Sequence, residues 1–115
     1  HAPGHGSLFF PRRSLLVAGD MVSEIEIPLL DDDSTDPVGE YLGGLDLLEQ
    51  LVPAVEVFVP GHGAIGDGAE LGRRIAADRR YLSALLAGEE PDDRRLGTPW
   101  LAAEHERHLA LVRGR

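Results

Sequence analysis

Apolar residues along this chain follow two different periods, and each predicts its own kind of element. Residues 7–10 and 14–18 are short apolar runs separated by Pro11-Arg12-Arg13, a turn signal with two charges, which predicts a β-hairpin or two adjacent strands. Glu24-Ile25-Glu26-Ile27 alternates with period two before Pro28 and an acidic stretch over residues 31–36, the pattern of a long loop holding a short extended piece. Asp36-Pro37 then offers an N-cap and a proline suited to the first helical position, followed by Tyr41, Leu45, Leu48 and Val52 at helical spacing. This helix should end near Pro53, and Gly43-Gly44 weakens its middle.

Val55-Glu56-Val57-Phe58-Val59 is β-branched, alternating and bounded by Pro60, the clearest strand signal in the chain. After a glycine-rich segment, Asp67 and Glu70 stand at capping-box spacing, and Leu71, Ile75, Leu82 and Leu85 form an apolar stripe that Gly88 should terminate. Arg73 and Arg80 fall off that stripe, and the pairs Arg73-Arg74 and Arg79-Arg80 read as exposed helix charges. A last helix, expected over residues 99–113, starts after Thr98 and places Leu101, His105, His108, Leu109 and Val112 on one face. The two histidines on that apolar face are expected to be packed rather than metal-binding.

With 115 residues the chain fits a single domain, residues 1–115, with a modest core. It has no cysteine, so any metal must be held by His, Asp, Glu or water. A formal charge of −9 argues against nucleic acid as a partner, because phosphate binding needs clustered cations. No apolar stretch approaches the roughly 20 residues needed to span a bilayer. A soluble, cytoplasmic protein without membrane or nucleic-acid partners is the expectation.

Two Pro-Gly-His tripeptides stand out, at Pro3-Gly4-His5 and Pro60-Gly61-His62. Glycine permits a sharp turn after each proline that can aim an imidazole back toward a sheet end. Between them Asp20 closes the run Leu15-Leu16-Val17-Ala18-Gly19, where a buried strand reaches the edge of its sheet. His5, Asp20 and His62 together are a donor set that suits zinc or iron. Two other patterns compete. Gly61-His62-Gly63-Ala64-Ile65-Gly66 fits Gly-x-Gly-x-x-Gly after a strand and before a helix, but no second strand ending in an acidic residue follows, as a dinucleotide site requires. The acidic run over residues 31–36 lacks the glycine and glutamate positions of an EF-hand loop and reads as a solvated loop.

His1-Ala2-Pro3-Gly4-His5, Leu16-Val17-Ala18-Gly19-Asp20-Met21 and Val59-Pro60-Gly61-His62-Gly63 resemble, in order, the third, fourth and fifth metal motifs of the metallo-β-lactamase-fold hydrolases. The resemblance covers roughly residues 1–87. It implies an α/β fold forming the C-terminal half of an αββα sandwich, a small mixed sheet with about three helices mainly on one face. It further implies that His5 binds one metal ion, that Asp20 bridges two and is the catalytic residue, and that His62 binds the other. Family members use zinc, or iron or manganese, to polarise a water that attacks an ester, thioester, amide or phosphoester.

The family's His-x-His-x-Asp-His motif does not occur in these 115 residues and is expected upstream of His1. The chain alone is therefore expected to bind zinc weakly and to lack robust hydrolysis. Its expected partners are the missing N-terminal half of the domain and a small-molecule substrate, with self-association through uncovered apolar surface. Residues 21–36 would line the pocket, where Ile25, Ile27, Leu29 and Leu30 suggest an uncharged or acyl-bearing substrate. The alternative is a non-catalytic remnant or binding module that keeps the fold, and a dinucleotide-binding unit ranks below both.

Overall fold

The computed structural model describes residues 8–19, 22, 27–28, 30, 35–60, 63–89, 91, 93–97 and 99–113. They form a small α/β fold of three helices and a three-stranded mixed sheet, as the periodicities predict. Strand β1 (Leu8–Phe10) and strand β2 (Leu15–Gly19) pair antiparallel, and Pro11–Arg13 makes a 3-10 turn between them. Strand β3 (Val57–Pro60) lies on the other side of β2 and runs parallel to it. Parallel neighbours require a crossover, which helix α1 (Pro37–Leu51) supplies.

Register divides the strand residues between two faces, and both are apolar. Leu16, Ala18, Phe58 and Pro60 are buried on the inner face, with Phe9 packed beside them. On the outer face, Leu8 pairs with Val17 and Val17 with Val59, while Phe10 pairs with Leu15 and Leu15 with Val57. Leu8, Phe10 and Val57 remain 61%, 44% and 41% exposed there. Strands apolar on both sides are typical of sheets covered on both sides. Among the described residues only the inner face is covered by helices.

Helix α1 begins and ends for local reasons the sequence announces. The Asp36 carboxylate accepts the Gly39 amide at 3.1 Å to cap α1, with Pro37 in the first turn. Gly43 and Gly44 do not interrupt this helix. Two interior glycines cost about 1 kcal/mol each, whereas one fully buried leucine contributes about 1.5–3 kcal/mol, and α1 buries Val38, Tyr41, Leu45 and Leu48. It gives way at Val52–Ala54 to a 3-10 turn containing Pro53, and β3 starts two residues later than its apolar pattern. Before it, the amides of Glu56 and Val57 both donate to the Ser14 carbonyl.

Helix α2 (Gly68–Ala87) is the hub, packing against α1, β3 and the last helix, α3 (Pro99–Arg113). Asp67 caps α2 by accepting the Glu70 amide at 2.8 Å. Gly88, at φ 71°, closes it. The Glu70 side chain holds Arg73 and Arg74. The reading of both arginine pairs as exposed charges is thereby corrected in part. Arg74 is buried, its guanidinium 4.7 Å from the centre of the Phe58 ring, and Arg79 reaches across to Asp46 and Glu49 on α1. Residue 74 lies on the same stripe as Leu71, Ile75 and Leu82, so its stem enters the core while its charge rests on Glu70 and an aromatic face.

The last glycine of the Gly-x-Gly-x-x-Gly pattern has a structural explanation. Gly66 pairs back onto β3, exchanging amide–carbonyl bonds with Phe58 at 2.8 and 3.1 Å. A Cβ at Gly66 would stand 2.6 Å from the Phe58 ring, so close packing demands glycine here. Beyond α2 the described residues form a 3-10 turn, Arg94–Gly97, and α3, with no further strand. Among the described residues no helix is long and apolar enough to cross a membrane.

Candidate functional site

The end of the sheet where β2 and β3 finish is where the candidate ligands attach to the described structure. Gly19 and Pro60 are register partners, so the parallel strands β2 and β3 end side by side. In sequence, Asp20 is the next residue after Gly19, and His62 is the second after Pro60. Strand β1 is antiparallel and opens at Leu8, opposite Val17, so it enters the sheet at this same end, three residues after His5. His5, Asp20 and His62 themselves lie outside the described residues, as do most of residues 20–34.

Two backbone irregularities flank Asp20 in the sequence. The β2–β3 register shifts between Val17 and Gly19, immediately before it. Two residues after it, Val22 has φ 53° although it is β-branched and fully buried. Bulges at strand ends re-aim the residues that follow them. A β-branched residue in left-handed backbone costs roughly 1–3 kcal/mol and persists only where its surroundings impose it.

Those surroundings are a buried polar cluster that the sequence analysis did not identify. Asp78 of α2 is fully buried and accepts Arg95 Nη1 at 2.7 Å. Arg95 is also gripped by Asp93, through Nε at 2.9 Å and Nη2 at 2.7 Å. The Tyr41 hydroxyl and the Val22 backbone N–H face the Asp78 carboxylate as well. Burial pushes Asp78 up to about 6, against the pull of Arg95. Tyr41 is raised well above the usual phenol range, first by burial and then by the Asp78 charge, so it remains a hydroxyl donor.

A second cluster joins α2, α3 and Leu30. The buried Tyr81 hydroxyl lies 2.8 Å from His105 Nδ1 and 2.9 Å from His108 Nδ1. His108 Nε2 accepts the Leu30 amide at 3.3 Å, and Arg107 Nη2 donates to the Leu30 carbonyl at 3.0 Å. Counting donors assigns the tautomers. Because Nε2 of His108 accepts, its proton sits on Nδ1 and is donated to the Tyr81 oxygen, leaving the Tyr81 hydroxyl to donate to His105 Nδ1. Burial, then the charge of Arg107, lowers His108 to about 3 and keeps it neutral. The expectation that His105 and His108 are packed histidines holds.

Arg74, Asp78 and Tyr81 were recognisable in principle. They sit on the stripe of Leu71, Ile75, Leu82 and Leu85, and polar residues on an apolar stripe signal a buried network. Arg95 carried no such signal, because it lies in a short 3-10 turn with no apolar period of its own.

Two imidazoles and a carboxylate suit zinc, and the strand ends that lead to them are neighbours. Among the described residues no group of three or more His, Asp or Glu side chains could hold a metal ion. No protein-family profile matches the chain, and no curated protein or solved structure shows significant similarity to it.

Proposed function

We propose that this chain is the C-terminal half of a metal-dependent hydrolase of the metallo-β-lactamase type, with His5, Asp20 and His62 as ligands for zinc. The supporting observation is the topology. One antiparallel and one parallel pairing gather the start of β1 and the ends of β2 and β3 at one end of the sheet; in sequence His5 is three residues before β1, Asp20 directly follows β2 and His62 is the second residue after β3. Adjacent strands run about 4.8 Å apart, close enough for residues just past their ends to share ions. The register shift and the left-handed Val22 on either side of Asp20 are irregularities that concentrate at functional sites.

His5 and His62 would each hold one ion and Asp20 would bridge them. Zinc would supply the polarisation of water and of a small-molecule ester, thioester, amide or phosphoester; iron or manganese accepts the same donors. The apolar outer face of β1, β2 and β3 would seat the rest of the sandwich. When uncovered it would favour self-association. Ile27 and Leu30 are buried, so they serve the core before any substrate.

In a protein joining this chain to an upstream segment that carries His-x-His-x-Asp-His, hydrolysis across a panel of such substrates should depend on metal. Asp20→Ala should lower kcat/KM by about 100-fold or more, as loss of a metal-site group does. Equal activity in the variant, or full activity after chelation, would refute the assignment. The second reading, a non-catalytic module that keeps the fold, is motivated by the lack of that motif in these 115 residues, and it predicts no hydrolysis in the joined protein.

A further inference from the structure

We propose that Glu104, Arg107 and His108 form an acid-operated clasp, in which one proton taken up at His108 Nε2 releases the Leu30 backbone from α3. It would operate whether or not the chain binds zinc. Leu30 and His108 are 78 residues apart in sequence, so the clasp ties the chain before α1 to the last helix. Both polar groups of the Leu30 backbone are held, the amide by His108 Nε2 at 3.3 Å and the carbonyl by Arg107 Nη2 at 3.0 Å.

In the neutral ring the Nδ1 proton goes to the Tyr81 oxygen, 2.9 Å away, which leaves Nε2 as the acceptor for the Leu30 amide. A second proton has to go on Nε2. There it would face two donors, the Leu30 N–H and Arg107 Nη2 at 3.4 Å, and a protonated ring nitrogen accepts from neither. An acceptor stands nearby in Glu104 Oε2, 3.7 Å from Nε2. That oxygen already takes Arg107 Nε at 3.0 Å and Nη2 at 2.8 Å, and the same Nη2 serves the Leu30 carbonyl. Turning the protonated ring toward Glu104 therefore breaks the amide bond and draws the carboxylate away from the arginine that holds the carbonyl. One proton loosens both grips.

Among the described residues, the charged and titratable groups facing His108 are Arg107, Glu104 and His105 of α3 and Tyr81 of α2. Burial, then Arg107, lowers the ring to about 3 while the clasp is closed, whereas a released histidine titrates near 6.5. The open form therefore binds the proton more tightly. Below about pH 6.5 the ratio of open to closed clasps rises about tenfold per pH unit, until about pH 3. Protons can enter from solvent, because Glu104 is 28% and Arg107 32% exposed beside the fully buried His108. A buried amide needs an acceptor in any fold, but only histidine makes that acceptor vanish on mild acidification.

Amide hydrogen exchange by NMR on the 115-residue chain between pH 6 and pH 4, corrected for the intrinsic rate at each pH, tests the clasp. Protection of the Leu30 amide should fall about tenfold per pH unit. Protection of Leu82 and Leu85 in α2 should change far less, because their exposure requires global unfolding, in which Asp78 offsets His108 over this range. The His108 ring signals should report protonation over the same pH range in which Leu30 loses protection. In His108→Gln, where glutamine accepts from Leu30 and cannot titrate, protection at Leu30 should stay level with pH. Glu104→Gln keeps an acceptor for Arg107 but loses the charge that receives the protonated ring, so the acid response at Leu30, relative to its own value at pH 6, should shrink about two- to fivefold. Leu30 protection in the wild type that stays level, or falls only in step with Leu82 and Leu85, would overturn the clasp. An undiminished fall in His108→Gln would overturn it as well, and an undiminished fall in Glu104→Gln would overturn the part given to that carboxylate.

Discussion

Arg95→Met is expected to remove about 3–5 kcal/mol of folding stability at pH 7, the usual cost of breaking a buried ion pair by deleting one partner. Arg95 serves two carboxylates, one of them fully buried, and methionine preserves much of its volume while withdrawing every donor. Asp78 would then be a buried charge with no cation. It can escape that cost only by taking up a proton, for which burial has already raised it to about 6. The loss should therefore shrink on acidification, because a raised carboxylate contributes stability below its unfolded value and loses it as pH rises through the folded one. Since small domains retain only about 5–15 kcal/mol in total, the variant should be close to unfolding at neutral pH. Denaturant titrations at pH 7 and pH 5 measure both effects. A loss under about 1 kcal/mol, or one identical at the two pH values, would contradict the role given to this pair.

His108 has the opposite sign. Its folded value is depressed to about 3, while an unfolded histidine titrates near 6.5. The unfolded chain therefore takes up a proton first as pH falls. The stability His108 contributes is complete above about pH 6.5 and erodes by about 1.4 kcal/mol per pH unit between that value and about pH 3. Asp78 offsets this between about pH 6 and pH 4, since its raised value favours the folded state on acidification. The groups facing His108 are Arg107, Glu104, Tyr81 and His105. Comparison with His108→Gln isolates the His108 term, because glutamine can accept from Leu30 but cannot titrate. Stability curves from pH 8 to pH 4 should converge on acidification, the wild type losing stability that the variant keeps. Parallel curves would show that His108 is not held neutral by the fold.

Local signals carried most of the fold. Asp36 and Asp67 cap their helices, Gly88 ends α2, and the run before Pro60 is a strand because β-branched residues suit a half-buried pleat. What escaped the sequence depends on residues far apart. Arg74 and Arg79 look like surface charges until α1 and β3 are placed beside α2, and Arg95 has meaning only when Asp78 lies opposite it. The doubly apolar strands were visible as sequence, but only register showed that one side faces outward without a cover among the described residues. For the site, pattern supplied the residue types and topology supplied the neighbouring strand ends. The proposed ligands His5, Asp20 and His62 lie outside the described residues.

Zinc titration of the 115-residue chain, followed by calorimetry and repeated for His5→Ala, Asp20→Ala and His62→Ala, tests the central claim most directly. The account predicts weak binding by the unaltered chain that each substitution lowers by about tenfold or more, as loss of one donor from a three-donor site should. Binding that survives all three substitutions undiminished, or a chain that takes up no zinc at all, would contradict it.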